Sequence, residues 1–195
     1  MNMLSHEEMV GLQAEKHELI NTQNFPTKED YVLHLIHTFS YVQAAKLAKG
    51  KKVLDVGCNM GYGSKLISET AKQVTGVDVS EKAIEAAKSQ YGGGNMAFQC
   101  IDGKRLPFAN NVFDMIVNFQ VIEHIVDYDA YLNELKRVLS PDGFVLFTTP
   151  NASMRLDPGM KPWNKFHVRE FKSDELQTLL ERFFPKVQVF WAFCK

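Results

Sequence analysis

The sequence predicts an α/β fold in which helices cover both faces of a doubly wound, mostly parallel sheet. From Lys52 onward, short β-branched or aromatic runs alternate with amphipathic helical stretches. This alternation is typical of parallel strands joined by crossover helices. A glycine-rich turn follows the first strand, and the second strand ends in an acid. Both features are typical of open α/β sheets, which bind ligands beyond the carboxyl ends of their strands.

Six strands and five helices are expected along the chain. The strands are expected at residues 52–56, 73–78, 96–101, 113–119, 143–149 and 186–193. Helices are expected at 61–71, 81–91, 128–139 and 173–183, where Ser80 and Ser173 are typical N-cap residues. Another helix is expected from about residue 28 to Lys49, because Thr27-Lys28-Glu29-Asp30 has the spacing of a capping box.

The length of 195 residues predicts one domain, 1–195. It comprises a helical cap at 1–49, a sheet core at 50–150, a loop without clear periodicity at 151–172, and a last helix and strand at 173–195. With a net charge of −1, the chain does not have the strong positive electrostatic field expected of a nucleic-acid-binding domain. Three cysteines without metal-ligand spacing argue against a disulfide framework, and no apolar run is long enough for a membrane span. We therefore expect a cytoplasmic protein that binds neither nucleic acid nor a membrane.

The turn after the first strand, VLDVGCNMGYG at 53–63, is the most informative segment. Glycines let a backbone turn sharply and approach a ligand, and the following helix offers unpaired N–H groups at its N-terminus. Asp78 ends the second strand, and Asp102 follows the third. Three successive strand ends thus present polar groups at one sheet edge, which predicts a nucleotide-like cofactor there. If Gly57 is considered alone, the alternative to a ligand-binding role is that it only makes a tight connection between strand and helix.

The type of cofactor follows from what this turn lacks. Dinucleotide sites use G-x-G-x-x-G, but counted from Gly57 the required positions hold Asn59 and Tyr62. Counted from Gly61, the third glycine is also missing. Asp55 lies two residues before Gly57, where an acid would repel a pyrophosphate but help to hold an ammonium or sulfonium cation, directly or through water. These residues indicate S-adenosylmethionine.

The chain resembles the class I S-adenosylmethionine-dependent methyltransferases of the broad group, often called type 11, that acts mostly on small molecules. The resemblance covers roughly Tyr41 to Phe183 and is carried by VLDVGCNMGYGS, VTGVDVS, FQCIDGKRLPF, FDMIVNFQVIEHIVD, LKRVLSPDGFVLFTTPN and KFHVREF, followed by SDELQTLL. It implies that 50–150 binds S-adenosylmethionine, that S-adenosyl-L-homocysteine is the product, and that a methyl group moves to an O or N atom of a small-molecule acceptor.

The resemblance implies a cofactor site built mainly from the ends of the first four strands. Its residues are, in chain order, Tyr41, Asp55, Gly57, Cys58, Asn59, Gly61, Asp78, Val79, Asp102, Gly103, Asn118 and Phe119. The glycine turn would surround the methionine half, Asp78 would hold the ribose, and Val79 and Asp102 would contact the adenine. Asn118 and Phe119 would line the sulfonium.

Two positions depart from the family pattern. Asn59 stands where the family usually has glycine, although asparagine tolerates left-handed backbone better than most residues. Ser40 precedes Tyr41 where many relatives have an arginine, so the partner of the methionine carboxylate is not identified.

Two histidines are candidates for the acceptor chemistry. Hydroxyl or protonated-amine acceptors need a base, and histidine, with a reference pKa of about 6.5, suits that role. His124 follows the fourth strand and is the first candidate, with a structural role in orienting the loop as the alternative. His167 is the second candidate, with an exposed loop position as the alternative. Glu123 is expected to cap a helix or anchor a loop, and no metal site is expected.

The loop at 151–172 is expected to cover the acceptor. Between Arg155 and Arg169 it carries four basic residues and one acid, with aromatic rings between them: Arg155, Asp157, Lys161, Trp163, Lys165, Phe166 and Arg169. Basic groups beside aromatic rings suit an anionic or sugar-containing acceptor, and a solvated basic loop is the alternative.

Two further functions stay open at this point. One is a non-catalytic protein that binds S-adenosylmethionine for interaction or sensing, which the departures at Asn59 and Ser40 would favour. The other is a nicotinamide-dependent oxidoreductase, against which the missing dinucleotide fingerprint counts. The fold that the chain resembles has seven strands, and the sequence shows six. Either the seventh strand lies outside the given sequence, or the strand at 186–193 pairs differently and leaves an apolar edge. In the second case we expect a homodimer to form through that edge.

Overall fold

The computed structural model describes residues 25, 27–157, 159–162 and 164–190, and it contains one five-stranded sheet in the order β3-β2-β1-β4-β5. All four neighbouring pairs are parallel. The strands are β1 (Lys52–Val56), β2 (Gln73–Asp78), β3 (Met96–Cys100), β4 (Phe113–Phe119) and β5 (Leu139–Thr148). The predicted doubly wound, mostly parallel sheet is therefore confirmed.

Six α-helices and one 3₁₀ turn are formed in the described residues. The helices are α1 (Lys28–Leu47), α2 (Tyr62–Ser68), α3 (Glu81–Tyr91), α4 (Tyr128–Val138), α5 (Ala152–Arg155) and α6 (Ser173–Glu181), and the 3₁₀ turn is Ile122–His124. The last helix begins at Ser173 and is capped by Lys172, so Ser173 is not the N-cap that the sequence predicted. No helix in this part of the chain is both long and apolar enough to cross a membrane.

The central strand is apolar on both faces, and each face packs against a different group of helices. Leu54 and Val56 lie in one buried cluster with Leu132 of α4 and Leu180 of α6. Val53, which directly precedes Leu54, lies in a second cluster that includes residues of α1 and α2. Because successive strand side chains point to opposite faces, one apolar run fills both layers of the core.

The strand order places the candidate site. The chain runs outward from β1 to β2 and β3, and then returns to the other side of β1 for β4 and β5. Val56, the last residue of β1, pairs with Val77 on one side and with Asn118 on the other. Open α/β sheets bind ligands in the crevice where the winding reverses, which here lies beyond the carboxyl ends of β1 and β4.

The predicted sixth strand is not formed in the described residues. Lys186 to Phe190 have no strand structure, although Val187 packs against the core cluster, and the side chain of Phe190 is 80% exposed. Residues 191–193 lie outside the described residues. The homodimer expected through the edge of this strand stays a prediction.

Gly63 tests the contact between α1 and α2. A Cβ atom at Gly63 would lie 2.2 Å from Cζ of the buried Tyr41 ring. We expect Gly63→Ala to lower the free energy of unfolding by roughly 3 kcal/mol, because the ring must leave its position. Gly50→Ala is the control: it meets open space, and its φ of +72° should cost only about 1 kcal/mol. Urea unfolding of both variants measures the difference, and equal losses would contradict this account.

Candidate functional site

The turn between β1 and α2 depends on three left-handed backbone positions. Gly57, Asn59 and Gly61 have φ angles of +77°, +47° and +80°. A side chain at Gly57 would also place its Cβ 2.4 Å from Cγ2 of Val121, in the segment after β4. The prediction that asparagine can replace the usual glycine is confirmed for the backbone at Asn59. The turn thus keeps its tight shape despite the substitution.

Asp78 holds this turn against the start of α3. Its side chain is buried at the end of β2. One carboxylate oxygen accepts a hydrogen bond from the backbone N–H of Asn59, and the other accepts one from the N–H of Ser80, both at 2.9 Å. The carbonyl of Val77 accepts two further bonds from the turn, from the N–H groups of Gly57 and Cys58. The contact of Asp78 with a ribose stays a prediction, and its role in shaping the turn was not visible in the sequence.

Asp55 lies beneath the turn and is fully buried. The hydroxyl of Ser64 in α2 donates to one oxygen at 2.6 Å, and the hydroxyl of Tyr41 in α1 donates to the other at 3.1 Å. Burial raises the pKa of Asp55 from 3.8 to about 7, although these two hydrogen bonds act in the opposite direction. The sequence did not identify Ser64, because only folding brings α2 over the carboxylate.

The next two strand ends carry the residues expected near an adenine. Asp102 is exposed, and its Oδ1 accepts hydrogen bonds from the N–H groups of Lys104 and Arg105 at 2.9 and 3.2 Å. These bonds lower the pKa of Asp102. Gly103 beside it has a φ of +73°, and Val79 is partly buried. Their contacts with an adenine stay predictions.

The end of β4 presents a polar group that the described residues do not satisfy. Asn118 is fully buried, and its side-chain amide donates to the hydroxyl of Tyr131, while its Oδ1 has no hydrogen-bond partner in this part of the structure. Phe119 packs edge-on against the Tyr41 ring at a centroid distance of 5.0 Å. A buried acceptor without a partner at the winding reversal fits a bound ligand.

The two candidate histidines meet beyond the end of β4, with ring centroids 4.8 Å apart and planes at 84°. His124 Nδ1 lies 3.0 Å from the carbonyl oxygen of Phe166. His167 Nδ1 lies 2.8 Å from a carboxylate oxygen of Glu170, whose side chain is completely buried. Burial lowers the pKa of His167, and Glu170 partly opposes this effect. His167 is therefore held in place rather than exposed on a loop.

The backbone of Glu123 holds the loop at 151–172, whereas the sequence predicted this role for its carboxylate. Its backbone carbonyl accepts hydrogen bonds from the N–H groups of Val168 and Arg169, at 2.8 and 3.3 Å. Its carboxylate is fully buried, and Oε2 accepts a bond from the hydroxyl of Thr149 at 2.9 Å. Burial raises the pKa of Glu123 to about 7.

The basic residues of this loop are partly neutralised. Arg155 lies 3.5 Å from Glu170, and Arg169 lies 3.2 Å from Glu175 of α6. The sequence did not reveal these pairs, because both acids lie just beyond the segment that we counted. Trp163 lies outside the described residues. An anionic acceptor therefore has less unpaired positive charge to meet than the sequence alone indicated.

Comparison with known proteins identifies the domain to which this site belongs. A family model described as a methyltransferase domain matches residues 54–147, which include most of β1, all of β4 and the glycine turn. Residues 54–147 belong to this methyltransferase family. The matched methyltransferase segment contains most of the predicted cofactor residues and His124.

Three similar proteins place the methyltransferase domain in context. A probable S-adenosylmethionine-dependent methyltransferase of Mycolicibacterium smegmatis is 38% identical over 151 residues, which are 74% of this chain and 56% of that protein. A ubiquinone biosynthesis O-methyltransferase of Coxiella burnetii is 33% identical over 127 residues, 63% of this chain and 54% of that protein. The crystal structure of the cyclase SpnF has a TM-score of 0.71 at 20% identity, covers 93% of this chain and 74% of its own, and shows the fold alone. The chain thus spans about half the length of these curated relatives.

Asp55 gives the methyltransferase domain a pH dependence. An acid whose pKa rises on folding holds its proton more tightly in the folded state, so the free energy of unfolding falls as the pH rises. For Asp55 this fall begins near pH 4 and ends near pH 7, because its pKa rises from 3.8 to about 7. We expect Asp55→Asn to flatten this part of the stability curve, since an amide can bond to both hydroxyls without ionising.

Urea unfolding at pH 5 and pH 8 measures the effect. The exposed Asp142→Asn is the matched control and should keep the wild-type difference between the two pH values. An unchanged difference in Asp55→Asn would contradict the account.

Proposed function

We propose that this protein is an S-adenosylmethionine-dependent methyltransferase that transfers the methyl group to an O or N atom of a small-molecule acceptor. The observation that carries the proposal is the left-handed glycine turn, held by Asp78 at the winding reversal inside the matched methyltransferase segment. The buried, unpartnered Oδ1 of Asn118 at the same crevice supports it. The name of the mycobacterial relative supports the cofactor.

The residues around the crevice fit such a cofactor. The glycine turn with Cys58 and Asn59 would face its methionine half, Asp78 its ribose, and Val79 and Asp102 its adenine. S-adenosylmethionine supplies a methyl group on a positively charged sulfur, which makes that carbon electrophilic. Asp55 and the end of β4 would supply the compensating negative charge and dipoles. The protein's own contribution to the rate is to hold the acceptor atom in line with the methyl group.

The histidine pair is the part of the site that prepares the acceptor. His167 with the buried Glu170 has the arrangement of a base and the carboxylate that orients it. Its lowered pKa keeps the ring neutral near pH 7, so that it can accept a proton from a hydroxyl. The name of the Coxiella relative, an O-methyltransferase, favours an oxygen acceptor. An anionic or sugar-containing acceptor and the absence of nucleic-acid and membrane partners remain part of the proposal.

A non-catalytic protein that binds S-adenosylmethionine is the second candidate. Its support was the departure at Asn59 and at Ser40, but Asn59 adopts the left-handed conformation that the turn needs. Ser40 donates its hydroxyl to the carbonyl of Ile36 within α1, which leaves the carboxylate partner unidentified. The methyltransferase function is therefore the better supported of the two.

Binding of S-adenosylhomocysteine tests the cofactor site. Thermal unfolding of the wild type with this ligand at about 100 times its Kd should show about 2.7 kcal/mol of added stability. Asp78→Ala should raise the Kd of S-adenosylhomocysteine roughly 100-fold, because the ligand would lose two charge-assisted hydrogen bonds to this carboxylate. The exposed Asp142→Ala is the matched control. The quantity compared is the rise in stability that the ligand causes in each variant, because Asp78→Ala also loosens the turn without ligand. Stabilisation by NAD instead of S-adenosylhomocysteine would contradict the proposal.

His167→Ala tests the acceptor chemistry. We expect kcat to fall by roughly 100-fold or more with a hydroxyl acceptor, because general-base contributions are of that size. Binding of S-adenosylhomocysteine should stay unchanged. His37→Ala, which removes a half-buried histidine of α1, is the matched control and should keep wild-type turnover. Unchanged kcat in His167→Ala, or loss of binding in it, would contradict this assignment.

A further inference from the structure

Three potential metal ligands converge beyond the carboxyl end of β4. One carboxylate oxygen of Glu123 and one ring nitrogen each of His124 and His167 lie within 4.8 Å of one another. Two imidazoles and one carboxylate form a donor set that suits divalent first-row metal ions. The sequence predicted no metal site, because His167 lies far along the chain from the other two residues.

Both rings are held as histidine ligands commonly are. A carbonyl oxygen can only accept a hydrogen bond, so Nδ1 of His124 must donate to Phe166. Nδ1 of His167 likewise donates to the carboxylate of Glu170. In a neutral ring the lone pair then lies on Nε2. A second-shell carbonyl or carboxylate that holds Nδ1–H in this way orients a histidine for metal binding.

The third potential ligand, Glu123, has a buried carboxylate oxygen that lacks a hydrogen-bond donor among the described residues. Glu123 is fully buried, and Thr149 donates to its Oε2, but its Oε1 has no hydrogen-bond partner within the described ranges. A carboxylate oxygen without a partner in a protein interior costs free energy. A metal ion bound to that oxygen would remove the cost.

We propose that Glu123, His124 and His167 bind one divalent metal ion of the Mn²⁺ or Zn²⁺ type. Arg155, 3.5 Å from Glu170, is the positive group of this cluster and offsets one of its two carboxylates. With the metal ion and one ionised acceptor oxygen, the charges of the cluster balance. Three protein ligands leave positions open for oxygen atoms from outside the chain.

The site would bind the hydroxyl of an acceptor, and in this respect the inference rests on the proposed function. In this site His167 would bind the metal ion instead of accepting the proton. A divalent ion lowers the pKa of a bound hydroxyl, which can then release its proton to water near neutral pH. Val121 joins this cluster to the cofactor turn, because its Cγ2 occupies the space that a Cβ at Gly57 would need. The acceptor oxygen would then lie beside the crevice that ends β1 and β4.

Titration of the full chain with Mn²⁺ tests the proposal. The protein is first treated with a chelator, and free Mn²⁺ is then followed by electron paramagnetic resonance. We expect saturation at one ion per chain and displacement by Zn²⁺. Glu123→Gln and His167→Ala should each lower the affinity for Mn²⁺ at least about 10-fold. Glu170→Gln should lower it roughly 10- to 100-fold, because Glu170 orients His167. His37→Ala should bind as the wild type does.

The outcomes separate this inference from the proposed function. Absence of saturable Mn²⁺ binding, or equal affinity in Glu123→Gln and the wild type, would overturn the metal site. Circular dichroism of the variants, and the wild-type titration itself, keep the test decisive if a variant misfolds. A protein that binds S-adenosylhomocysteine but no Mn²⁺ would keep the proposed function with His167 as a direct base. A protein that binds Mn²⁺ but no S-adenosylhomocysteine would contradict the proposed function alone.

Discussion

The buried carboxylate of Asp55 is the constraint on which the rest of the site depends. A carboxylate removed from water must be hydrogen-bonded, and here its two partners come from different helices, Tyr41 in α1 and Ser64 in α2. The bonds therefore fix both helices relative to β1. The ring of Tyr41 in turn fills the space over Gly63 and packs against Phe119. One side chain thus links the cap helix, the glycine turn and the end of β4.

The parallel sheet then gathers the remaining groups at one edge. Every strand of the described sheet points the same way, so the turn after β1, Asp78 at the end of β2 and Asn118 in β4 all lie at the carboxyl ends. Asp78 locks the turn by accepting from Asn59, and the turn keeps its shape without the usual glycine. The shape of such a turn is mostly backbone geometry, which explains why one side-chain departure does not abolish it.

The histidine cluster is built differently from the glycine turn, from a loop rather than from strand ends. The carbonyl of Glu123 and the ring of His124 hold the returning segment at Phe166 and Val168, and this contact brings His167 next to His124. Glu170 then orients His167 and pairs with Arg155. The histidines and acids of this cluster lie against one another, so their chemistry has to be understood as that of a group.

The sequence by itself determined five strands of the sheet and the residues of the glycine turn, although β5 begins at Leu139 rather than at Gly143. These features follow from local periodicity, from glycines at left-handed positions and from acids at strand ends. It also named His124 and His167 separately. Only the tertiary structure decided that the two rings meet, that Ser64 bonds to Asp55, and that Arg155 and Arg169 are paired. It also showed that Lys186 to Phe190 form no strand. These features depend on contacts between residues that are distant in the chain, and such contacts leave no local pattern in a single sequence.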